Sequence, residues 1–340
     1  MKIQNLLIIL LLFLVMGCGK DEKNPPDPAP NLNREYTLYI DFWNPAGNNP
    51  QISFDAASSS PEIRIDFAQT FGGVAVPPNF TKVIIDNVRI IDQNFVNYQI
   101  DGITAYEYRE DIADWKIDVE FVMEYEPIGD LNVVLVLDAS ASLDQDFVKV
   151  QEFAADFVTR IFEDTPSAQI GIVDFSDVIN TYPLSGNENA LKEYIANIEM
   201  GPFTTLYEAM NVGIDILQNN PADGKAILTF TDGTDNNSGP MYTPEFLYNK
   251  LTDDSGSILI NSFTIGLEGN GGVDKPVLEN LAANGGIAQF PNSIDELEVI
   301  FEKFSESISN VYNLTYIRNQ QVIPEASPAR LKFVFKASPK

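Results

Sequence analysis

Asp138-Ala139-Ser140-Ala141-Ser142 sets one carboxylate and two hydroxyls at alternate positions directly after the apolar run Val133 to Leu137, where a buried strand would leave its sheet. The result is an oxygen-only donor set, suited to hard divalent cations such as Mg²⁺ and Ca²⁺; small hydroxyls let such an ion keep exchangeable positions. One carboxylate holds a divalent cation poorly, so other segments must contribute. Thr204 lies in Gly201-Pro202-Phe203-Thr204-Thr205-Leu206-Tyr207-Glu208-Ala209, where a Gly-Pro turn leads into a helical stretch ending near Leu217. Asp232 ends a second apolar run, Ala226-Ile227-Leu228-Thr229-Phe230-Thr231-Asp232-Gly233.

The elements that must position these groups follow from periodicity. Apolar strands alternate with amphipathic helices expected over Phe147 to Ile161, Asn189 to Ile198, Leu206 to Leu217, Pro244 to Leu251, Lys275 to Ala283 and Ser293 to Ser309. Such alternation predicts an α/β fold, a doubly wound and mostly parallel sheet covered by helices on both faces. Ligands of such sheets bind at the carboxyl ends of the strands, where Asp138 and Asp232 fall.

Asp-x-Ser-x-Ser after one strand, Thr before a central helix and Thr-Asp-Gly after a later strand, in this order and spacing, closely resemble the von Willebrand factor type A domain over roughly residues 129 to 310. Gly171-Ile172-Val173-Asp174-Phe175-Ser176-Asp177 is similar to that family's second strand and Ser262-Phe263-Thr264-Ile265-Gly266-Leu267 to its fifth. The resemblance implies a metal-ion-dependent adhesion site made of Asp138, Ser140, Ser142, Thr204 and Asp232. In that family the hydroxyls typically bind directly, while one or both acids can act through water. The implied ion is Mg²⁺, with Mn²⁺ and Ca²⁺ as alternatives. Leu206-Tyr207-Glu208-Ala209 puts Thr204, rather than Thr205, in register, and Pro202-Phe203 stand where the family often has Gly-Gly.

Composition narrows the function classes. The 340 residues allow roughly two domains, and 44% apolar residues are enough for a proper core. A formal charge of -28 argues against nucleic acid and anionic membrane surfaces as partners, because phosphate contacts need clustered Lys and Arg. Histidine is absent, which excludes His-based triads, His-ligated zinc and imidazole bases. Phe230-Thr231-Asp232-Gly233-Thr234 matches a phosphatase signature except at the nucleophile position, which holds Phe230. Gly269-Asn270-Gly271-Gly272 lacks a phosphate-loop lysine and reads as a flexible turn, and Asp55 to Ser60 reads as a loop. Asp144 and Asp146 are expected to favour a helix N-terminus, with a second cation site as the alternative. Asp174 and Asp177 read as members of a solvated loop, and Asp235 as a turn residue. Trp43 and Trp115 read as core rather than as a sugar platform.

Met1-Lys2, the apolar stretch Leu6 to Val15 and Gly17-Cys18 resemble a bacterial lipoprotein signal peptide. Residues 1–17 are then a leader and Cys18 the lipidated first residue of the mature chain. Cys18 is the only cysteine, so no intrachain disulfide can form. Residues 18–30, charged and proline-rich, read as an extended tether. Lys20-Asp21-Glu22 is similar to a surface-export signal of outer-membrane lipoproteins, or is simply part of a charged tether. The expected location is the outer membrane of a bacterial cell envelope.

Residues 31–128 show strand alternation, as in Tyr36 to Phe42, Glu62 to Phe67 and Lys116 to Val122, and are expected to form a β-sandwich. Strand periodicity returns in Val311 to Ile317 and Arg330 to Phe335, so residues 311–340 are expected to rejoin that region around residues 129–310. Taken together, the sequence predicts a non-enzymatic envelope lipoprotein that binds a protein or other extracellular macromolecule through a partner carboxylate. The alternatives are a metal-stabilised scaffold of an envelope complex and a metal-dependent hydrolase.

Overall fold

The computed structural model describes residues 34–43, 51–58, 63–66, 69–75, 80–92, 96–118, 121–127, 129–253, 259–268, 272–318 and 329–340. The leader, Cys18 and the tether lie outside them, as do Gly269 to Gly271 and the side chain of Trp43. The first strands are β1 (Arg34–Trp43), β2 (Gln51–Ser58), β3 (Ile63–Asp66), β4 (Gln69–Ala75), β5 (Phe80–Asp92), β6 (Asn97–Arg109), β7 (Asp114–Ile117) and β8 (Phe121–Pro127). Asp55 to Ser58, expected as loop, are the end of β2, and the stretch Lys116 to Val122 is broken between β7 and β8.

The alternating part of the chain follows. β9 (Leu131–Asp138) passes through a 3-10 turn, Ala141–Asp146, into α1 (Phe147–Asp164); β10 (Gln169–Phe175) and β11 (Ile179–Ser185) precede α2 (Glu188–Ala196) and α3 (Leu206–Asn219). β12 (Gly224–Thr231), α4 (Pro244–Thr252), β13 (Asn261–Gly266), α5 (Lys275–Leu281), β14 (Ala288–Gln289) and α6 (Ile294–Ser309) complete it. β15 (Tyr312–Arg318) and β16 (Ala329–Pro339) end the described chain.

Six strands make one sheet in the order β11-β10-β9-β12-β13-β14, parallel except for the edge strand β11. Every residue of β9 is buried, as expected of a central parallel strand covered on both faces. Its alternate side chains divide the core. Val133, Leu135 and Leu137 pack with α1 and α6, through Val150, Phe157, Phe301 and Phe304; Val134 and Val136 pack with α3, through Met210 and Ile214. Gly213 of α3 lets the helix come close to the sheet, since a Cβ there would lie 2.9 Å from Ile227 and 3.1 Å from Val134 and Val136.

The remaining ten strands are antiparallel and joined in the order β2-β1-β16-β6-β5-β15-β8, with β3 and β4 on β5 and β7 on β6. Long β5 pairs with β4 and β15 along its length and with β3 and β6 at its end, which links all ten into one hydrogen-bonded network. Trp115 is a half-buried surface residue and not core: its ring lies tilted at 5.6 Å from Tyr39 and edge-on at 5.3 Å to Tyr108, with Lys332 5.1 Å from it. Among the described residues no helix is long and apolar enough to cross a membrane.

Phe301 is the point where α6 grips the sheet, edge-on to Phe157 of α1 at 6.0 Å and 6.3 Å from Phe230 of β12. Phe301→Ala is therefore expected to lower unfolding free energy by about 3–5 kcal/mol, measured by denaturant titration.

Candidate metal centre

β9 and β12 are neighbours in parallel register, with Phe230 opposite Leu137, so both strands deliver an acid to the same end of the sheet. Asp138 is fully buried and Asp232 is 2% exposed. Burying two carboxylates is costly unless hydrogen bonds or positive charge compensate them. Asp138 Oδ1 accepts the Ser140 backbone N–H at 2.8 Å, and Oδ2 accepts the Thr231 hydroxyl at 2.6 Å. Asp232 Oδ1 accepts the hydroxyls of Ser142 at 2.8 Å and Ser140 at 3.3 Å, while the two serine oxygens lie 2.9 Å apart. Among the described residues, no ion pair reaches either acid.

Thr204 comes from the loop before α3. That loop is bound to the β9 end by two backbone hydrogen bonds, Gly201 N–H to Ala139 O at 3.0 Å and Ala141 N–H to Gly201 O at 2.9 Å. Gly201 is required for this approach, because a Cβ would press on Ser176 Oγ and lie 2.7 Å from Asp177 Oδ1. Phe203, where the family often has glycine, takes φ of 66°, a left-handed conformation that a side chain adopts only under strain, and it stands 58% exposed at the rim. Thr204 is buried, with its hydroxyl 3.5 Å from the place a Cβ on Gly233 would occupy. The neighbouring Thr205 hydroxyl is already used: it donates to Ser176 O and accepts the Asn237 amide at 2.9 Å. Among the described residues no hydrogen bond engages the Thr204 hydroxyl.

Residues not singled out from sequence hold this arrangement. Thr231 orients Asp138, and Asn236 clamps Thr204 from both sides, its Oδ1 accepting Thr204 N–H at 2.9 Å and its own N–H donating to Thr204 O at 3.0 Å. Asp235 accepts Tyr207 N–H at 3.0 Å and, with Ser238 accepting Glu208 N–H at 3.0 Å, satisfies the N-terminus of α3, a more definite role than a turn residue. The signal available in the sequence was the run Asp235-Asn236-Asn237-Ser238, four side chains able to bond backbone. Asp144 and Asp146 are exposed in the 3-10 turn before α1, and Asp146 is the N-cap of that helix without a side-chain capping bond. Asp174 corrects the solvated-loop reading: it is 4% exposed and accepts the Tyr194 hydroxyl at 2.6 Å and the Asn180 amide at 2.9 Å. Asp177 is exposed.

Burial and the Asp232 charge push the Asp138 carboxyl up to about 6, against hydrogen bonds from Ser140 and Thr231 that lower it; burial raises Asp232 as well. The described residues contain no group of three or more His, Cys, Asp or Glu disposed to hold a metal, so any cation here must rely on hydroxyls beside the two acids. The donor set fits a hard ion, since all its atoms are oxygen, it carries up to two negative charges, and no cationic side chain among the described residues pairs with them.

A family model described as von Willebrand factor type A domain matches residues 132–308. No curated protein matches the chain. Similar solved structures include proximal thread matrix protein 1 from the mussel byssus with a zinc occupied MIDAS motif, 19% identical over 59% of this chain and 50% of that one, with a TM-score of 0.46. The pilus adhesin SpaC from Lactobacillus rhamnosus GG is 12% identical over 82% of this chain and 44% of that one, with a TM-score of 0.44. A von Willebrand factor type A structure from Catenulispora acidiphila is 11% identical over 80% and 67%, with a TM-score of 0.46. The chain thus spans half the length of the mussel protein.

Two outcomes are expected. Because the folded carboxyl of Asp138 is raised from 3.8 to about 6, the fold favours its protonated form; that stability is fully present below 3.8 and lost as pH rises through 6. The loss is about 3 kcal/mol. In EDTA, Asp138→Asn should therefore be more stable than wild type above pH 6, the gap closing towards 3.8 in denaturant titrations across pH. Removing the Thr204 clamp by Asn236→Ala should weaken Mn²⁺ binding roughly tenfold or more, read by electron paramagnetic resonance, with the circular dichroism spectrum unchanged.

Proposed function

The chain belongs to the von Willebrand factor type A family, and from that membership we propose that it is a cell-envelope lipoprotein that captures a macromolecular partner at a divalent-cation adhesion site. One observation carries the reading: two buried carboxylates, Asp138 and Asp232, converge with the hydroxyls of Ser140 and Ser142, and no basic side chain of the described residues pairs with them. Asp138, Ser140, Ser142, Thr204 and Asp232 would hold the ion, Mg²⁺ by preference for an all-oxygen set, with Mn²⁺ and Ca²⁺ as alternatives. When bound, the cation supplies a positive centre with one position open to a carboxylate oxygen of the partner.

The chain's own residues make that capture selective. Thr231 and the Ser140 N–H fix the Asp138 carboxylate, and Asn236 fixes Thr204, so the donors are ordered before a partner arrives. Ser142 is exposed, which leaves the approach to the site open. The reading is of binding and not of catalysis: a chain without histidine has no imidazole to move protons. A lipid on Cys18, with residues 18–30 as tether, would hold the binding face at the outer membrane, displayed to partners with an exposed Glu or Asp. The chain's -28 charge disfavours nucleic acid as that partner.

The test uses a minimal carboxylate. N-acetylaspartate amide should show paramagnetic broadening of its methylene protons when added to the Mn²⁺-loaded chain, and the isosteric asparagine analogue should not. EDTA and Asp138→Ala should each abolish the effect, with the variant still folded. Equal broadening by the two analogues, or by wild type and Asp138→Ala, would contradict the proposal. EDTA lowering thermal stability with no carboxylate recognition at any stage would leave only the scaffold role.

A further inference from the structure

A cavity of about 640 Å³ opens beside the metal centre, between β10, β11 and the end of α2, lined by Asp174, Asn180, Tyr194, Asn197 and Glu199 among others. None of its lining side chains is basic. Asp174 is the unusual member. Its carboxylate is almost wholly buried yet is met only by neutral donors, the Tyr194 hydroxyl and the Asn180 amide, and among the described residues no ion pair reaches it. Dipoles alone compensate a buried carboxylate less completely than a cation with matching donors. Burial, together with the bond to Asp174 and its charge, raises the Tyr194 hydroxyl well above its ordinary range, so Tyr194 stays a neutral hydrogen-bond donor to Asp174. Glu199 adds a second, exposed carboxylate at the mouth.

The cavity is joined to the metal centre through the backbone. Asp174 pairs with Leu137 across the sheet, and the next pair is Phe175 with Asp138. Glu199 stands two residues before Gly201, whose peptide groups bond Ala139 and Ala141. The two sites are therefore on the order of 10 Å apart, about three residues of extended chain.

From the cavity we infer that it receives a basic side chain, a guanidinium or ammonium, of the same partner whose carboxylate reaches the metal centre. The partner is then a protein segment carrying an acid and a base about three residues apart. Tyr194 and Asn180 each hold one carboxylate oxygen of Asp174 at the cavity wall, and Glu199 would meet the cation from the mouth. The assignment of both groups to one partner rests on the adhesion-site reading; the cavity's preference for a cation does not.

The experiment is a titration of the full chain with L-argininamide, followed in ¹⁵N–¹H correlation spectra, in Mg²⁺ and again in EDTA. Saturable shifts are expected at the amides of Asp174, Asn180, Asn197 and Glu199 in both conditions. Citrullinamide, neutral and of the same shape, should give none. Asp174→Asn should weaken binding by roughly tenfold or more, and Glu199→Gln, an exposed and conservative change, should weaken it measurably in a protein of unaltered fold. Absent shifts, equal shifts with citrullinamide, or undiminished binding by Glu199→Gln and Asp174→Asn would overturn the inference. Argininamide binding without any effect of Mg²⁺ on the Asp138 region would instead count against the metal centre alone. Binding of spermidine with far higher affinity than argininamide would point to a free polyamine and overturn the assignment to a partner side chain.

Discussion

The arrangement depends on the burial of two like charges. Asp138 and Asp232 are withdrawn from water at adjacent strand ends, and the neighbouring backbone is organised around them: the Ser140 N–H, the Thr231 hydroxyl and the two serine hydroxyls all point at carboxylate oxygens. Those bonds offset part of the cost, yet they leave the Asp138 carboxyl raised to about 6, so without a cation the fold works against the ionised state. A site of this kind stores an electrostatic deficit that a hard cation relieves, and the same deficit makes the site a poor contributor to stability.

Rigidity around the deficit comes from the fold. β9 and β12 are buried on both faces, and Gly201 ties the α3 loop to the β9 end through paired backbone bonds. The loop after β12 serves both the site and α3, since Asn236 positions Thr204 while Asp235 and Ser238 satisfy the N-terminus of the helix. The other side of the α/β sheet is tied to the antiparallel one. Arg89 of β5 donates to Gly285 O at 3.1 Å and lies 5.5 Å over the Phe263 ring; Asn97 accepts the Ser307 hydroxyl at 2.9 Å, and Asn310 donates to Tyr98 O at 3.0 Å. Movement of α6 along its axis would break the Ser307 and Asn310 bonds, so the antiparallel strands and the last helix are mechanically joined.

The α/β class was legible because local periodicity and burial agree. The helix expected over Phe147 to Ile161 runs from Phe147 to Asp164, and that expected over Pro244 to Leu251 ends one residue later. The edge strand β11 was not legible: it is half exposed and contains Pro183, so it shows no apolar period. Asp174 was misread for a related reason. Asp-Phe-Ser-Asp looks like loop, but Asp174 lies inside β10 between β9 and β11, and its carboxylate is held by Tyr194, twenty residues later in the chain. The five candidate ligands came from the family resemblance; the supporting roles of Thr231 and Asn236 were not legible, because their partners are 93 and 32 residues away. Which antiparallel strands pair was not legible, since β5 bonding to four neighbours is a tertiary property that no window of sequence displays.

Whether the two buried acids hold a cation is read most directly by calorimetric titration of Mg²⁺ into the full chain alongside Asp232→Ala. Saturable binding at one site is expected, with release of protons below pH 6 as the ion displaces them from the buried carboxyls, and no binding by the variant. Absence of binding by wild type, or equal binding by the variant, would contradict it.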